Sequence, residues 1–155
     1  MSSPSAERLR GWRLFFESSM ALTSVLEAEM ERDGGIAMNF YDVLIHLEEA
    51  PDGLPMNVLA ERILYSKSGI TRVVDGMEKA GLVRRVRPEH DRRSILIVLT
   101  EQGAATMEHA RAYHRDAIER HFSQHLTDSE IKVITGALEK VSAHARPLRP
   151  GRIGG

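Results

Sequence analysis

The sequence predicts a mainly α-helical fold (α+β) that carries a single β-hairpin. Apolar residues recur every three or four positions along most of the 155 residues, which is the period of amphipathic helices. The pattern changes between residues 82 and 99, where two short segments rich in Val, Ile and Leu flank a polar loop. The length suits one compact domain, residues 1–155.

The composition excludes several classes of protein. There is no cysteine, which rules out disulfides, thiol catalysis and cysteine-bound zinc. No apolar run approaches the roughly 20 residues of a membrane-spanning helix, and the N-terminus lacks the apolar segment of a secretory signal. We therefore expect a cytoplasmic protein without membrane contact. The net charge of −1 gives no whole-chain sign of a nucleic-acid partner.

The first predicted helix covers residues 6–32 and is ended by the turn at 33–35, Asp-Gly-Gly. It is about 40 Å long at the α-helical rise. This is more than one small domain needs, so we expect part of it to pack on another surface. A second helix is predicted over 39–49, with Asn39 as its N-cap.

Shorter elements follow the turn at 50–53. Residues 54–56 are expected to be extended, as a three-residue edge strand, and a short third helix covers 57–63. A break at 64–66 separates it from a fourth helix over 67–80. Two strands, 82–87 and 94–99, then form the hairpin.

Two helices complete the chain. Thr100 caps the first, over 101–125, and the second covers 128–146. The second begins with a capping box, in which Thr127 and Glu130 satisfy each other's backbone N–H groups. The same stretch contains a Ser-x-x-Lys pattern, which some acyl-transfer enzymes use. The capping box explains these residues structurally, and no other catalytic motif is present, so we predict that the chain is not an enzyme.

Helix, short helix, turn, helix and hairpin follow one another in the order of a winged helix-turn-helix, here residues 36–99. The fourth helix has the two faces that a recognition helix needs. Its buried stripe is predicted to be Ile70, Val73, Val74 and Met77. Its outer side is predicted to be Ser68, Arg72, Asp75 and Lys79, with Thr71 on the flank. Arg72 suits a guanine edge, and Ser66 as N-cap leaves backbone N–H groups for a phosphate. The alternative is the solvated face of an ordinary core helix.

The charge distribution favours DNA binding over that alternative. Residues 66–93 contain eight Lys or Arg and four acidic residues, a formal charge of +4. The remaining chain has 13 basic and 18 acidic residues, a formal charge of −5. Positive charge is therefore concentrated in the segment whose order of elements resembles a DNA reader.

The same segment carries a family resemblance. Three stretches resemble the multiple-antibiotic-resistance regulator (MarR) family: LAERILYSKSGITRVVDGMEKAGLVRR (59–85), DRRS (91–94) and VLTEQG (98–103). The resemblance extends from residue 6 to 146, although the outer helices match in length and order more than in sequence. The sequence departs from the family at Gly76, where a larger residue is usual.

The resemblance implies a homodimeric transcription factor, most often a repressor, that binds a near-palindromic site in double-stranded DNA. Helices 6–32 and 101–146 would form the dimerisation region. The residues expected at the DNA are Ser66, Lys67, Ser68, Thr71, Arg72, Arg84, Arg87, Asp91, Arg92 and Arg93. Among them, Arg93 would enter the minor groove and Asp91 would hold it in position.

The resemblance also implies a small aromatic or phenolic ligand that releases the DNA, and no cofactor. Candidate lining residues are Trp12, Phe16, Met20, Phe40, Leu44, Met107 and His114, most of which also suit a core. Two alternatives remain open. One is a protein-interaction module on the same fold. The other is a metal-responsive regulator, because His121 and His125 have the i, i+4 spacing of ligands on one helix face.

Overall fold

The computed structural model describes residues 4–63, 67–89 and 93–148, except for the side chains of Lys67 and Ser68. These residues form six α-helices and three β-strands, and two 3₁₀ turns at Ser123–His125 and Arg146–Leu148. The helices and strands are α1 Ala6–Arg32, α2 Met38–Glu48, β1 Leu54–Pro55, α3 Met56–Ile63, α4 Lys67–Lys79, β2 Val83–Val86, β3 Leu96–Leu99, α5 Glu101–His121 and α6 Asp128–Ala145. The predicted fold class is confirmed. The predicted break at 64–66 lies outside the described residues.

The three strands form one antiparallel sheet in the order β1-β3-β2. Strand β3 pairs with β2 from Leu96 to Leu99, and with β1 at two positions. The predicted edge strand is one residue shorter than expected, because α3 already begins at Met56. Its proline lies on an edge strand, where a missing N–H does not interrupt the sheet.

The start of helix α2 differs from the sequence prediction. Helix α2 begins at Met38 with Ala37 as N-cap, so Asn39 lies inside the helix and the prediction that it caps the helix was wrong. The reason is that the Ala37 carbonyl already accepts the N–H groups of Phe40 (3.0 Å) and Tyr41 (3.1 Å). Helix hydrogen bonding therefore starts earlier than the side-chain signal suggested.

Helix α5 ends at His121 rather than at residue 125, because Phe122 leaves the helical conformation (φ −130°, ψ −65°). The side chains of Gln124 and His125 both reach the Arg120 carbonyl at the helix end. His125 therefore lies in a 3₁₀ turn, and the i, i+4 argument for a metal pair on one α-helix was wrong.

The chain divides into two compact units, Met1–Ala117 and Ile118–Gly155. The core of the first lies where α2, α3 and α4 pack with the sheet, and it includes fully buried Leu44, Leu47, Leu59, Ile70 and Ile97. Helices α1 and α5 approach this core at Met30 and Met107.

Polar contacts tie α5 to the other helices of the first unit. The Tyr113 hydroxyl donates to Asp33 (3.0 Å) at the end of α1, and Arg111 pairs with Glu48 at the end of α2. The start of α5 is held by Thr100, whose hydroxyl accepts the Gly103 N–H (2.9 Å), as predicted for an N-cap.

Most of α1 lies outside this core. Before its last turns the helix exposes a row of large apolar side chains, and among them Trp12 is 61% and Met20 is 60% exposed. Met30 is the buried residue that α1 contributes. This agrees with the expectation that the helix is longer than its own domain needs.

In the second unit, α6 starts with the predicted capping box. The Thr127 hydroxyl accepts the Glu130 N–H (3.3 Å), and the Glu130 carboxylate accepts the Thr127 N–H (2.8 Å). Helix α6 has no buried residue and exposes Val133 and Val141. Among the described helices, none combines the length and the apolar character needed to cross a bilayer.

Candidate nucleic-acid interface

Helix α4 has the two faces that the sequence predicted. Its four apolar residues are buried, three of them completely, and they join the core of the first unit: Ile70, Val73, Val74 and Met77. On the opposite side Thr71, Arg72, Asp75 and Lys79 are exposed. The helix is thus anchored along one side and presents a polar, cation-bearing surface on the other.

Gly76 lies where α4 meets α2. A Cβ at this position would stand 3.0 Å from Cζ and 3.6 Å from Cε1 of Phe40, which projects from α2. Glycine therefore allows the Phe40 ring to pack directly on the α4 backbone. This close approach is a physical reason for the departure from the family pattern.

The wing strand β2 places its two arginines on opposite sides of the sheet. Arg85 pairs in register with Ile97, which is fully buried, so its side chain leaves from the core-facing side. Arg84 pairs with Val98 on the other side and is exposed. Arg87 follows the strand and is also exposed.

Arg85 was not among the predicted site residues, yet it connects the wing to α4. Its guanidinium donates to Asp75 Oδ1 (2.6 Å) and to the Glu78 carboxylate, and its backbone N–H donates to Glu78 Oε1 (3.2 Å). The hydrogen bond that Arg85 donates to Asp75 is the largest cause that raises the pKa of Arg85. The i, i+3 spacing of the two acids and the strand alternation together could have indicated this contact.

Two predicted DNA residues lie in the same concavity. It is open, has a volume of about 530 Å³, and combines Thr71 of α4 with Arg93, which lies three residues before strand β3. The other lining residues are Pro55, Met56, Asn57, Ser94 and Ile95. The recognition helix and the wing thus contribute polar side chains to one shared surface.

The remaining predicted DNA residues are not described. Ser66, Asp91 and Arg92 lie outside the described residues, and so do the side chains of Lys67 and Ser68. Of the predicted set, the structure therefore describes Thr71, Arg72, Arg84, Arg87 and Arg93, all of which are exposed.

The predicted ligand residues differ in their burial. On α1, Trp12 stacks on Phe16 with ring centroids 5.8 Å apart, and both rings and Met20 are exposed. Leu44 and Met107 are buried in the core, and Phe40 is half-buried against α4.

His114 lies on α5 beside α2. Its ring is 5.0 Å from that of Tyr41, and burial lowers its pKa below the usual 6.5, against the opposing effect of Asp42. Burial also raises the pKa of Asp42, which His114 and His46 partly offset. Within the part of the chain that the structure describes, no three His, Asp or Glu side chains form a group that could hold a metal ion.

Comparisons with known proteins decide the family. Residues 36–94 match the family model described as MarR family. The crystal structure of AbsC, a MarR family transcriptional regulator from Streptomyces coelicolor, is 32% identical with a TM-score of 0.85, and 95% of this chain and 99% of that chain are covered. This chain belongs to the MarR family.

Further similarities accompany the MarR assignment. The HTH-type transcriptional repressor YetL of Bacillus subtilis is 30% identical over 112 residues, which are 70% of this chain and 67% of YetL. The MarR family regulator Sco3205 from Streptomyces coelicolor, crystallised in complex with DNA, is 27% identical with a TM-score of 0.85, over 97% of this chain and 93% of that chain. The chain is thus a transcriptional regulator, which confirms that it is not an enzyme.

Proposed function

We propose that this regulator binds duplex DNA sequence-specifically as a homodimer and represses transcription in the cytoplasm until a small aromatic ligand releases it. The observation that carries the DNA-binding part is the division of α4. Its apolar side is buried in the core, while Thr71 and Arg72 face outward beside a wing rich in arginine. The DNA complex of the similar regulator Sco3205 supports the same assignment.

We assign the reading of base edges to Arg72, because a guanidinium matches the two acceptors of guanine in the major groove. Arg93 would reach the minor groove, with Asp91 holding it in position. The remaining residues would contact phosphates and set the register of the protein on the duplex: Ser66, Lys67, Ser68, Thr71, Arg84, Arg87 and Arg92.

The dimer is proposed from the apolar surface of the outer helices. Helix α1 exposes Trp12, Phe16 and Met20, and α6 exposes Val133 and Val141. Exposed apolar side chains in such rows mark interaction surfaces. A two-fold symmetric dimer would place two copies of α4 in successive major grooves about 34 Å apart.

We place the ligand where α1 and the first part of α5 meet the winged region. The exposed Trp12–Phe16 pair and the half-buried Phe40 and His114 offer rings to an aromatic acid. Leu44 and Met107, which are buried in the core, would line the inner side of the ligand site. Hydroxylated benzoates are suitable probes, and release of bound DNA on their addition is the expected result.

The main test selects bound sequences from a random duplex library. We expect an enriched site with two inverted half-sites spaced by one helical turn. Arg72→Ala should relax the preference at one position of each half-site, and Arg93→Ala should weaken binding to all duplexes, each by about 1–3 kcal/mol. Arg13→Ala, at an exposed position of α1, is the control and should bind like the parent.

The alternative of a protein-interaction module makes the opposite prediction. Such a module would show no salt-dependent shift of any duplex, whereas contacts to phosphates make the affinity fall steeply as salt rises. If the Arg72 and Arg93 variants both bind like the parent chain, the assigned residues are wrong even though the protein binds DNA.

A further inference from the structure

The contact between Arg85 and helix α4 joins the two parts of the DNA-binding region. Arg85 lies on the wing strand β2, and its partners Asp75 and Glu78 lie on α4. Three hydrogen bonds make the connection, two from the guanidinium and one from the backbone N–H.

Strand geometry explains why Arg85 makes this contact and Arg84 does not. The side chain of Arg85 leaves the sheet on the side of buried Ile97, so its stem crosses the core-facing surface before the guanidinium reaches α4. It is 28% exposed, in contrast to the exposed Arg84. A guanidinium with five donors in a fixed planar arrangement can bind two carboxylates at once.

The acids would oppose DNA binding if they stood alone. Asp75 lies on the outward side of α4 with Arg72, where phosphates would approach under the proposed function, and it is 58% exposed. A carboxylate at such a place repels phosphate. Arg85 places a positive charge beside this carboxylate, and two of its guanidinium nitrogens donate to the acids.

We propose that Arg85 is a positioning residue for DNA readout. It holds the recognition helix and the wing at one fixed separation, so that Arg72 and Arg93 reach their grooves together, and it does not itself contact phosphate. An isolated surface ion pair contributes little to stability. A guanidinium that binds two carboxylates forms a small network, and such networks do contribute to stability. This inference rests on the proposed DNA binding.

The decisive variant is Glu78→Gln, because simple electrostatics and the positioning role predict opposite results. Removing a negative charge near DNA should strengthen all binding if charge alone matters. If Glu78 serves to hold Arg85, the variant should instead lose roughly three- to thirtyfold in affinity for duplexes selected by the parent chain. Its affinity for a scrambled duplex should not fall.

Arg85→Gln should show the same loss on the selected duplex, and the double variant should be no weaker than Arg85→Gln alone, because both changes break one contact. Arg85→Lys keeps the charge but cannot span both carboxylates, so it should leave the affinity for the scrambled duplex unchanged and should not restore the affinity for the selected duplex. Arg84→Gln removes the same charge one residue away. As a phosphate contact, Arg84 should affect both duplexes, so this variant should lower the affinities for the selected and the scrambled duplex together. Circular dichroism and the unfolding midpoint check that each variant is folded.

Three outcomes separate the hypotheses. If Glu78→Gln binds the selected duplex at least as tightly as the parent, the positioning role is overturned. It is also overturned if Arg85→Gln lowers both affinities equally and lowers the salt slope by about 0.9, since Arg85 is then a phosphate contact. A parent chain that binds no duplex at low salt would instead overturn the proposed function, and this inference with it.

Discussion

Replacing Gly with Ala usually stabilises a helix. At Gly76 we expect no such stabilisation, because this glycine is in contact with Phe40. In a helix interior, Ala is about 1 kcal/mol more favourable than Gly. At position 76, however, the new methyl group would lie 3.0 Å from Cζ of Phe40, below the roughly 3.5–4.0 Å of a favourable carbon–carbon contact. The ring must therefore move, or α2 and α4 must separate.

The two effects have similar magnitudes. Forcing an additional methyl group into a packed site costs about 1–3 kcal/mol, against the gain of about 1 kcal/mol from helix propensity. We expect Gly76→Ala to leave the free energy of unfolding of the parent unchanged or to lower it by up to about 2 kcal/mol. The same change in a Phe40→Leu background should be stabilising, by about 1 kcal/mol, because Leu lacks the contacting ring atoms.

The assay is a double-mutant cycle by urea unfolding at one fixed chain concentration, because dimer formation would make stability depend on concentration. The coupling between positions 40 and 76 should be about 1–3 kcal/mol. If Gly76→Ala stabilises the parent as much as it stabilises the Phe40→Leu chain, the two residues do not interact, and the packing explanation for this glycine is wrong.

Three further predictions concern stability. Thr127→Ala should lower the free energy of unfolding by about 1 kcal/mol through loss of the N-cap, whereas Thr135→Ala on the same helix should not, and equal effects would contradict the capping role. Leu47→Ala, at a fully buried position, should cost about 2–5 kcal/mol in urea unfolding, and a cost near zero would contradict its place in the core. Because burial lowers the pKa of His114 below 6.5, the unfolded chain binds more protons as the pH falls through that value, so stability should fall with it. His114→Gln should reduce this pH dependence, measured as thermal midpoints between pH 7.5 and 5.5, while exposed His144→Gln should not.

The sequence determined the features that depend on neighbours along the chain. The period of Ile70, Val73, Val74 and Met77 assigned the buried side of α4, because an α-helix returns to the same face every three or four residues. Thr127 and Glu130 identified the start of α6, since a capping box involves only residues three apart. The change from helical to alternating period located the hairpin and, through the order of elements, the winged region.

Only the tertiary structure decided how residues far apart in sequence meet. The partners of Arg85, the ring packed on Gly76 and the end of α5 before Phe122 all depend on the orientation of one element against another or on backbone torsions. Asn39 is an example. Its side chain suits an N-cap, but the helix hydrogen bonds already begin at the Ala37 carbonyl, two residues earlier. Periodicity reports which face of an element is apolar, but many relative placements of two faces satisfy the same pattern. The packing of specific side chains selects one of them.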